Sequence, residues 1–218
     1  MKEQLTIMDM PALIDSAAEY MEPRRSVLAE LDSQTGDGDM GVTIALIFRA
    51  AKECAGAVTE NLSLDAFFRN LYETIGETAP STFGTFIATM FRTIARNGKE
   101  LAAIDAQTYP QLLQWAAEGV MKRGKGKRGD KTLLDALIPA AEAAADLLAR
   151  RASDVPPKLG DVSRAAREAA ESGANEAAGM VAKIGRAGYM GERTIGMKDP
   201  GAEAIAMLLA AIDDFIQN

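Results

Sequence analysis

Three aspartates in the stretch LDSQTGDGDMG, residues 31–41, are the strongest candidates for chemistry in this sequence. Asp32, Asp37 and Asp39 fall within eight positions, with glycines between them. Carboxylates this close repel one another unless a cation lies between them, and oxygen ligands suit magnesium, calcium or manganese. The pattern therefore predicts a metal site, and three carboxylates are enough to bridge two magnesium ions.

A solvated acidic turn is the alternative interpretation of this stretch. Asp32 argues against it, because this residue is predicted near the C-terminus of a helix, where the helix dipole disfavours an anion. GDGDMG at 36–41 matches the dinucleotide-binding pattern in its letters, but a predicted helix precedes it where that motif needs a strand. A calcium-binding EF-hand loop fails as well, because it needs a glutamate where Phe48 stands.

The composition limits the functions that are open to the chain. A net charge of −7 disfavours general nucleic-acid binding, which needs a basic face. The absence of histidine removes the commonest general base, the commonest metal ligand and any phosphohistidine intermediate. The one cysteine, Cys54, cannot form an internal disulfide, and no apolar run reaches the roughly 18 residues that span a bilayer. We therefore expect a cytoplasmic protein without a membrane partner.

Apolar residues recur at helical spacing along nearly the whole chain, and 218 residues suit one domain that spans 1–218. The start and stop signals predict an all-α fold of eight helices. Asp199 is predicted to cap the last helix, with Pro200 in its first turn, and Gly185 to end the seventh. The predicted ranges are 9–31, 40–57, 63–77, 81–96, 109–123, 131–151, 159–184 and 200–217.

Short connections make consecutive helices antiparallel neighbours, so the odd-numbered loops of an up-and-down bundle lie at one end. That end receives the aspartate loop, the turn at 78–80 and the glycine-rich loops at 124–130 and 185–199. It also receives four helix N-termini, whose unpaired N–H groups and partial positive charge favour phosphate. Carboxylates for a cation beside groups for an anion predict a magnesium-bound polyphosphate.

Two glycine-rich segments at this end carry cations. Residues 122–131 hold six Lys and Arg residues against one acid, and they form either a plain solvated loop or a site for phosphate or an acidic partner. Residues 185–201 hold five glycines together with Arg186, Arg193 and Lys198. Because so many glycines cost folding entropy, we interpret this segment as a cover or lid over a nucleotide.

Four motifs resemble those of the nucleotide-binding L subunit of dihydroxyacetone kinase, over essentially the whole chain. They are LDSQTGDGDMG at 31–41, FGTF at 83–86, RGKGKRGDKTLLDAL at 123–137 and GRAGYMGERTIGMKDPGA at 185–202. The resemblance implies an eight-helix antiparallel barrel with a nucleotide site at one end. It also implies that Asp32, Asp37 and Asp39 hold two magnesium ions that bridge the phosphates of ADP or ATP.

The same resemblance implies a set of nucleotide contacts. Arg186 is the side chain that we expect to contact phosphate or the transition state, and no nucleophile is expected in this chain. The sequence departs from the family pattern at Met40, at Thr43 and in the turn at 76–81, which leaves the exact substrate and the donor open. The implied contacts are Met40, Gly41, Thr43, Thr78, Ala79, Ser81, Gly124, Leu133, Arg186, Asp199, Pro200 and Gly201.

The resemblance further implies one half of a split kinase. A separate K subunit would hold a short keto-sugar covalently on a histidine, and this chain would present the γ-phosphoryl group to it. The donor would be free ATP, or a phosphohistidine carrier protein of the phosphotransferase system that recharges bound ADP. The alternatives are a nucleotide-sensing regulator without kinase activity and, less favoured, the nucleotide domain of a fatty-acid kinase.

Overall fold

The computed structural model describes residues 1–150 and 156–218, and within them nine helices of 11 residues or more form the fold. The predicted all-α class is confirmed. Short 3-10 segments lie at Ile7–Asp9, Glu22–Arg24 and Gly191–Thr194, and β1 (Gln4–Leu5) pairs antiparallel with β2 (Ile104–Asp105). The helices are α1 Met10–Met21, α2 Arg25–Thr35, α3 Met40–Gly56, α4 Leu64–Thr78, α5 Thr82–Asn97, α6 Tyr109–Gly124, α7 Leu134–Ala149, α8 Leu159–Ala177, the single turn α9 Gly185–Gly188, and α10 Pro200–Gln217.

The long helices close into a ring. From α2 to α8 each helix packs against the next one along the chain. Helix α1 packs against α3, and α10 packs against α7 and α8 on one side and against α1 and α2 on the other. Most connections are short, so neighbouring helices alternate in direction. The result is an up-and-down barrel whose interior is filled by apolar side chains such as Ile44, Phe67 and Leu134.

Helix α10 closes the ring through the apolar stripe that its sequence predicts. Ile205, Leu209 and Ile216 are buried, whereas Leu208 and its neighbours on the stripe are partly buried against the same core. In the part of the chain that the structure describes, no helix is both long and apolar enough to cross a bilayer.

The first predicted helix, 9–31, is wrong as a single helix. A 3-10 turn at Glu22–Arg24 separates α1 from α2, because Pro23 has no N–H to donate and its ring crowds the preceding turn. Helix α2 then continues through Asp32 to Thr35. Asp32 therefore projects from the last turn of a helix, which fixes its carboxylate more firmly than a loop would.

Two other predicted helices have different ends. The seventh, predicted over 159–184, ends at Ala177, because the chain turns there and directs carbonyl groups towards the ammonium of Lys131. Gly185 does not cap that helix but begins α9, with a φ of +68°. The sixth, predicted over 131–151, begins at Leu134 because Lys131 has a φ of +60°, and its predicted last residue lies outside the described residues.

Candidate nucleotide-binding site

Four loops meet in a cleft of about 760 Å³ at one end of the barrel. They contribute residues from the segments 32–40, 80–86, 124–133 and 184–201. Helices α3, α5, α7 and α10 each begin at this cleft, so that their N-terminal partial positive charges surround it. The alternation of helix direction predicts from the sequence that these same four loops lie at one end.

Most of the residues predicted for the site line this cleft, and four do not. The four outside the lining are Gly41, Thr43, Thr78 and Ala79. Those that line it are Asp32, Asp37, Asp39, Met40, Ser81, Gly124, Leu133, Arg186, Asp199, Pro200 and Gly201.

Two of the four residues outside the lining hold neighbouring parts of the cleft in place. Thr43 is buried behind Ser81, and its Oγ1 lies 3.1 Å from the Oγ of Ser81. Gly41 lets α3 approach α2, because a Cβ there would lie 2.6 Å from the carbonyl oxygen of Arg25. Ser81 also caps α5 by accepting a hydrogen bond of 3.0 Å from the backbone N–H of Gly84. Thr43 therefore acts on the cleft through the orientation of Ser81.

The three aspartates form a compact set of hard oxygen ligands. One carboxylate oxygen from each lies within 4.8 Å of those of the other two. Asp39 immediately precedes α3, and the backbone N–H of Met40 donates to Oδ2 of Asp32 over 3.2 Å. This donor set fits magnesium, which prefers a few carboxylates and leaves positions open for phosphate oxygens and water.

The charges of the three carboxylates are only partly balanced. Burial, together with repulsion from Asp37 and Asp32, raises the pKa of Asp39 above its usual range. Arg186, on α9, forms an ion pair with Asp37, and the hydrogen bond from this guanidinium lowers the pKa of the Asp37 carboxyl. The repulsion that remains around Asp39 is what a divalent cation would relieve.

Asp199 forms the opposite wall of the cleft and caps α10. Its Oδ2 accepts a hydrogen bond of 2.8 Å from the N–H of Ala202, and Pro200 fills the first helical position, where no N–H is needed. Burial raises the pKa of Asp199 to about 7; the N–H of Ala202 opposes this shift, and Asp135 adds to it. This carboxyl therefore changes its charge close to neutral pH.

Lys131 is the one cation of the basic run at 122–131 that belongs to the cleft lining. Arg128 pairs with Glu142 of α7 over 2.9 Å, and the ammonium of Lys131 donates to backbone carbonyl groups. The remaining four cations of the run are exposed and lie outside the cleft lining. The structure thus gives no support to phosphate binding by this run, and docking of an acidic partner stays a prediction.

The segment 185–201, interpreted above as a lid, follows Lys183, which is tied to the loop that precedes α7. The Nζ of Lys183 donates to the carbonyl oxygen of Gly129 over 2.7 Å and lies 3.4 Å from the carboxylate of Asp130. The backbone N–H of Lys183 also donates to the carbonyl oxygen of Asp130. Arg186 is therefore presented from an anchored turn, whereas the side chain of Tyr189 at the rim is 92% exposed.

Several cleft residues were missed by the sequence analysis because their types carry no chemical signal. Phe83 and Phe86 have the spacing of core residues, and Ile184 lies beside the glycine-rich segment without a charge or a motif of its own. The lining residues that were missed are Thr35, Gly36, Pro80, Thr82, Phe83, Phe86, Lys131, Thr132, Ile184, Gly185, Ala187 and Tyr189. All of them except Pro80, Thr82 and Ile184 lie within the four motifs quoted above, but no site role was assigned to them individually.

The DAK2 domain family matches residues 34–214. The chain belongs to the DAK2 domain family. It is 29% identical over 182 residues to the ADP-binding subunit DhaL of PEP-dependent dihydroxyacetone kinase from Escherichia coli, with 84% of each chain covered. It is 30% identical over 202 residues to the ADP-binding subunit DhaL of PEP-dependent dihydroxyacetone kinase 1 from Listeria innocua, with 91% of each covered.

A solved structure has the same fold as this DAK2 chain. The crystal structure of the dihydroxyacetone kinase from C. freundii in complex with AMP-PNP and Mg²⁺ gives a TM-score of 0.66 at 22% identity. The match covers 94% of this chain and 33% of that one, so the DAK2 chain spans about a third of that kinase.

The DAK2 cleft is suited to positioning and charge neutralisation. It combines the three carboxylates of the aspartate triad, the carboxyl of Asp199, one guanidinium and four helix N-termini. Phosphoryl transfer depends mostly on these two effects and needs little covalent chemistry from the protein.

Proposed function

We propose that this chain is the ADP- or ATP-binding subunit of a dihydroxyacetone-type kinase and that it works with two magnesium ions. One observation carries the proposal: the aspartate triad and four helix N-termini face the same cleft. Membership of the DAK2 family and the ADP-binding subunits among its relatives support the same assignment.

Each wall of the cleft has a task in this proposal. Asp32, Asp37 and Asp39 hold the magnesium ions, which when bound neutralise charge on the β- and γ-phosphate oxygens. The N-terminus of α5 binds phosphate oxygens through backbone N–H groups, and Ser81 adds a hydroxyl donor. The N-terminus of α10 contributes only its partial positive charge, because Pro200 has no N–H and the next N–H groups donate to the carboxyl of Asp199. Arg186 leaves Asp37 and donates to the transferring phosphoryl group.

The apolar part of the cleft suits the nucleoside. Phe83, Phe86 and Leu133 line it, and Met40 lies beside the metal ligands. Rings and aliphatic side chains bury a base without demanding a specific hydrogen bond, which matches sites that are mostly apolar with a few oriented polar groups. Gly124 and Gly201 allow close packing of this lining, because a Cβ at Gly124 would lie 2.9 Å from the ring of Phe86 and one at Gly201 would lie 3.1 Å from Oδ2 of Asp199.

The acceptor and its partner lie outside this chain in our proposal. A separate K subunit holds dihydroxyacetone, or a similar triose or tetrulose, at the mouth of the cleft and supplies the general base. The donor is free ATP or a phosphohistidine carrier protein of the phosphotransferase system. Because this chain has no histidine, phosphate from such a carrier must pass directly to bound ADP.

A reconstitution tests this function. The chain is mixed with a K subunit, dihydroxyacetone, magnesium and ATP, and sugar phosphate is measured; a parallel reaction replaces ATP with ADP, the carrier protein and its phosphorylating system. We expect sugar phosphate in at least one reaction, and none when magnesium is omitted. Tight nucleotide binding without sugar phosphate in either reaction would favour a nucleotide-sensing regulator instead.

A further inference from the structure

The side chain of Lys131 is enclosed where two loops of the cleft meet. It is 2% exposed, and its Nζ lies 2.7 Å from the carbonyl oxygens of Thr194 and Met197. The carbonyl oxygens of Ala178 and Met180 lie 3.1 and 3.2 Å from the same atom. All four acceptors belong to the segment 178–197, and Arg186 lies in its middle. One ammonium therefore draws both ends of that segment together.

The surroundings of this ammonium resemble a site for a monovalent cation. Among the described residues Lys131 forms no ion pair; burial lowers the pKa of its ammonium group, and the charge of Asp199 opposes this shift. Carbonyl dipoles hold it instead, and rings of carbonyl oxygens are the ligands that replace the hydration shell of potassium. The carbonyl oxygens of Met180 and Met197 have no second donor within residues 1–150 and 156–218. Within the described residues, the ammonium of Lys131 is therefore the one protein donor that reaches these two carbonyl groups.

The backbone holds Lys131 in an unusual conformation to make this contact. Its φ is +60°, in the left-handed region that favours glycine. The buried carboxylate of Asp135 stabilises this turn by accepting from the N–H of Thr132 over 2.8 Å and from the N–H of Gly129 over 2.5 Å. The first turn of α7 thus fixes the residue from which the ammonium projects.

We propose that Lys131 is a positioning residue that acts as a tethered monovalent cation, fixing the segment 178–197 so that Arg186 faces the three aspartates. The effect on ligand binding rests on the proposed function, whereas the effect on the segment does not. A lysine in a basic, glycine-rich loop suggests phosphate binding from its sequence alone. Its burial and its four carbonyl partners assign it to the protein's own backbone instead.

Two substitutions separate the charge of Lys131 from its backbone role. Lys131→Met keeps most of the side chain and removes the charge, so the carbonyl oxygens of Met180 and Met197 lose their donor. Lys131→Gly suits the positive φ and leaves a space beside the four oxygens that a small cation can enter. Lys127→Met is the matched control, because Lys127 is an exposed lysine of the same loop outside the cleft lining.

The first measurement is hydrogen exchange, which does not depend on function. In Lys131→Met we expect faster exchange over 178–197 and unchanged exchange in α4 and α5. In Lys131→Gly we expect slow exchange of that segment in potassium or ammonium chloride and fast exchange in tetramethylammonium chloride, whose cation is too large. Because the two salts are compared on the same variant, differences in folding between variants do not affect this result.

The second measurement is the affinity for magnesium-ADP. We expect Lys131→Met to weaken the affinity for magnesium-ADP by about 10–100-fold, as is typical when a residue that orients ligand-binding groups is lost. We expect Lys131→Gly to bind magnesium-ADP more tightly in potassium chloride than in tetramethylammonium chloride. Two results would overturn the proposal. One is a hydrogen-exchange rate over 178–197 in Lys131→Met equal to that of the wild type, and the other is an exchange rate in Lys131→Gly that is the same in all three salts. If the wild-type chain binds no magnesium-ADP, the proposed function fails, and hydrogen exchange still decides the role of Lys131.

Discussion

The guanidinium group of Arg186 pairs with the carboxylate of Asp37 across the mouth of the cleft. Both side chains are well exposed, at 66% and 46%. Asp37 also belongs to the three carboxylates that are spaced for a metal ion. A guanidinium and a magnesium ion compete for the same oxygens, so we expect metal binding to release Arg186 towards the phosphates.

Arg186→Ala should therefore have two opposite effects. In the nucleotide-free protein it removes a competitor, so the affinity for manganese, measured by electron paramagnetic resonance, should rise by a few-fold. In the reconstituted kinase the same change should lower kcat by about 100-fold or more, because a group that stabilises transition-state charge is lost. Arg193→Ala is the matched control, since Arg193 lies in the same segment but not in the cleft lining. Unchanged metal affinity together with unchanged kcat would contradict both roles.

The pH dependence of stability should report on Asp199. Burial raises the pKa of its carboxyl to about 7, from an ordinary value of 3.8. The folded protein therefore holds this proton more tightly than the unfolded chain, and its stability falls as the pH rises through this interval. Asp199→Asn keeps a capping side chain and removes the penalty, so the variant should exceed the wild type in stability at pH 8, and by less at pH 5. Urea unfolding in the absence of metal and nucleotide measures the difference.

Asp9 supplies a control of opposite sign for the pH experiment. Burial raises the pKa of the Asp9 carboxyl, but the hydrogen bonds from the N–H and hydroxyl of Thr6 outweigh it, so this pKa lies below its ordinary value. The ionised form is thus favoured in the folded state, and its contribution is lost as the pH falls below the ordinary value. Asp9→Asn should destabilise the protein more at pH 8 than at pH 3, which lies below the ordinary value of 3.8. Equal pH profiles for the two variants would contradict the assignment of Asp199.

Two helical glycines should respond oppositely to alanine. A Cβ at Gly173 of α8 would overlap the carbonyl oxygen of Asp135 in α7, so Gly173→Ala should destabilise the fold by about 1–3 kcal/mol. At Gly76 of α4, no atom of the described residues outside its own stretch of helix lies within 4 Å of such a Cβ, and Gly76→Ala should stabilise the fold by about 0.4–1 kcal/mol. Urea unfolding of both variants checks this, and a loss of stability in Gly76→Ala would show that the exposed face of α4 is misplaced.

Periodicity and alternation predict the fold and the position of the cleft well. Helical spacing identifies the long helices, because it depends only on neighbouring residues. The alternation of helix direction brings Asp37 and Arg186 to the same end, because it depends only on the order of helices and short loops. The break at Pro23 was missed because the apolar pattern continues across it. The interaction of Lys131 was also missed, because its partners lie at 178–197 and its local sequence resembles a solvated loop. Burial of a charge depends on distant segments, and a local pattern does not contain it.

The most direct test of a magnesium-dependent nucleotide site is calorimetric titration of ADP into the wild-type chain and into Asp37→Ala. Asp15→Ala is the matched control, because Asp15 is an exposed aspartate of α1 that pairs with Lys52 over 3.1 Å. We predict binding to the wild type and to Asp15→Ala with magnesium, and no binding to Asp37→Ala or to any of the three in excess chelator. An ADP affinity in Asp37→Ala equal to that of the wild type would contradict the site.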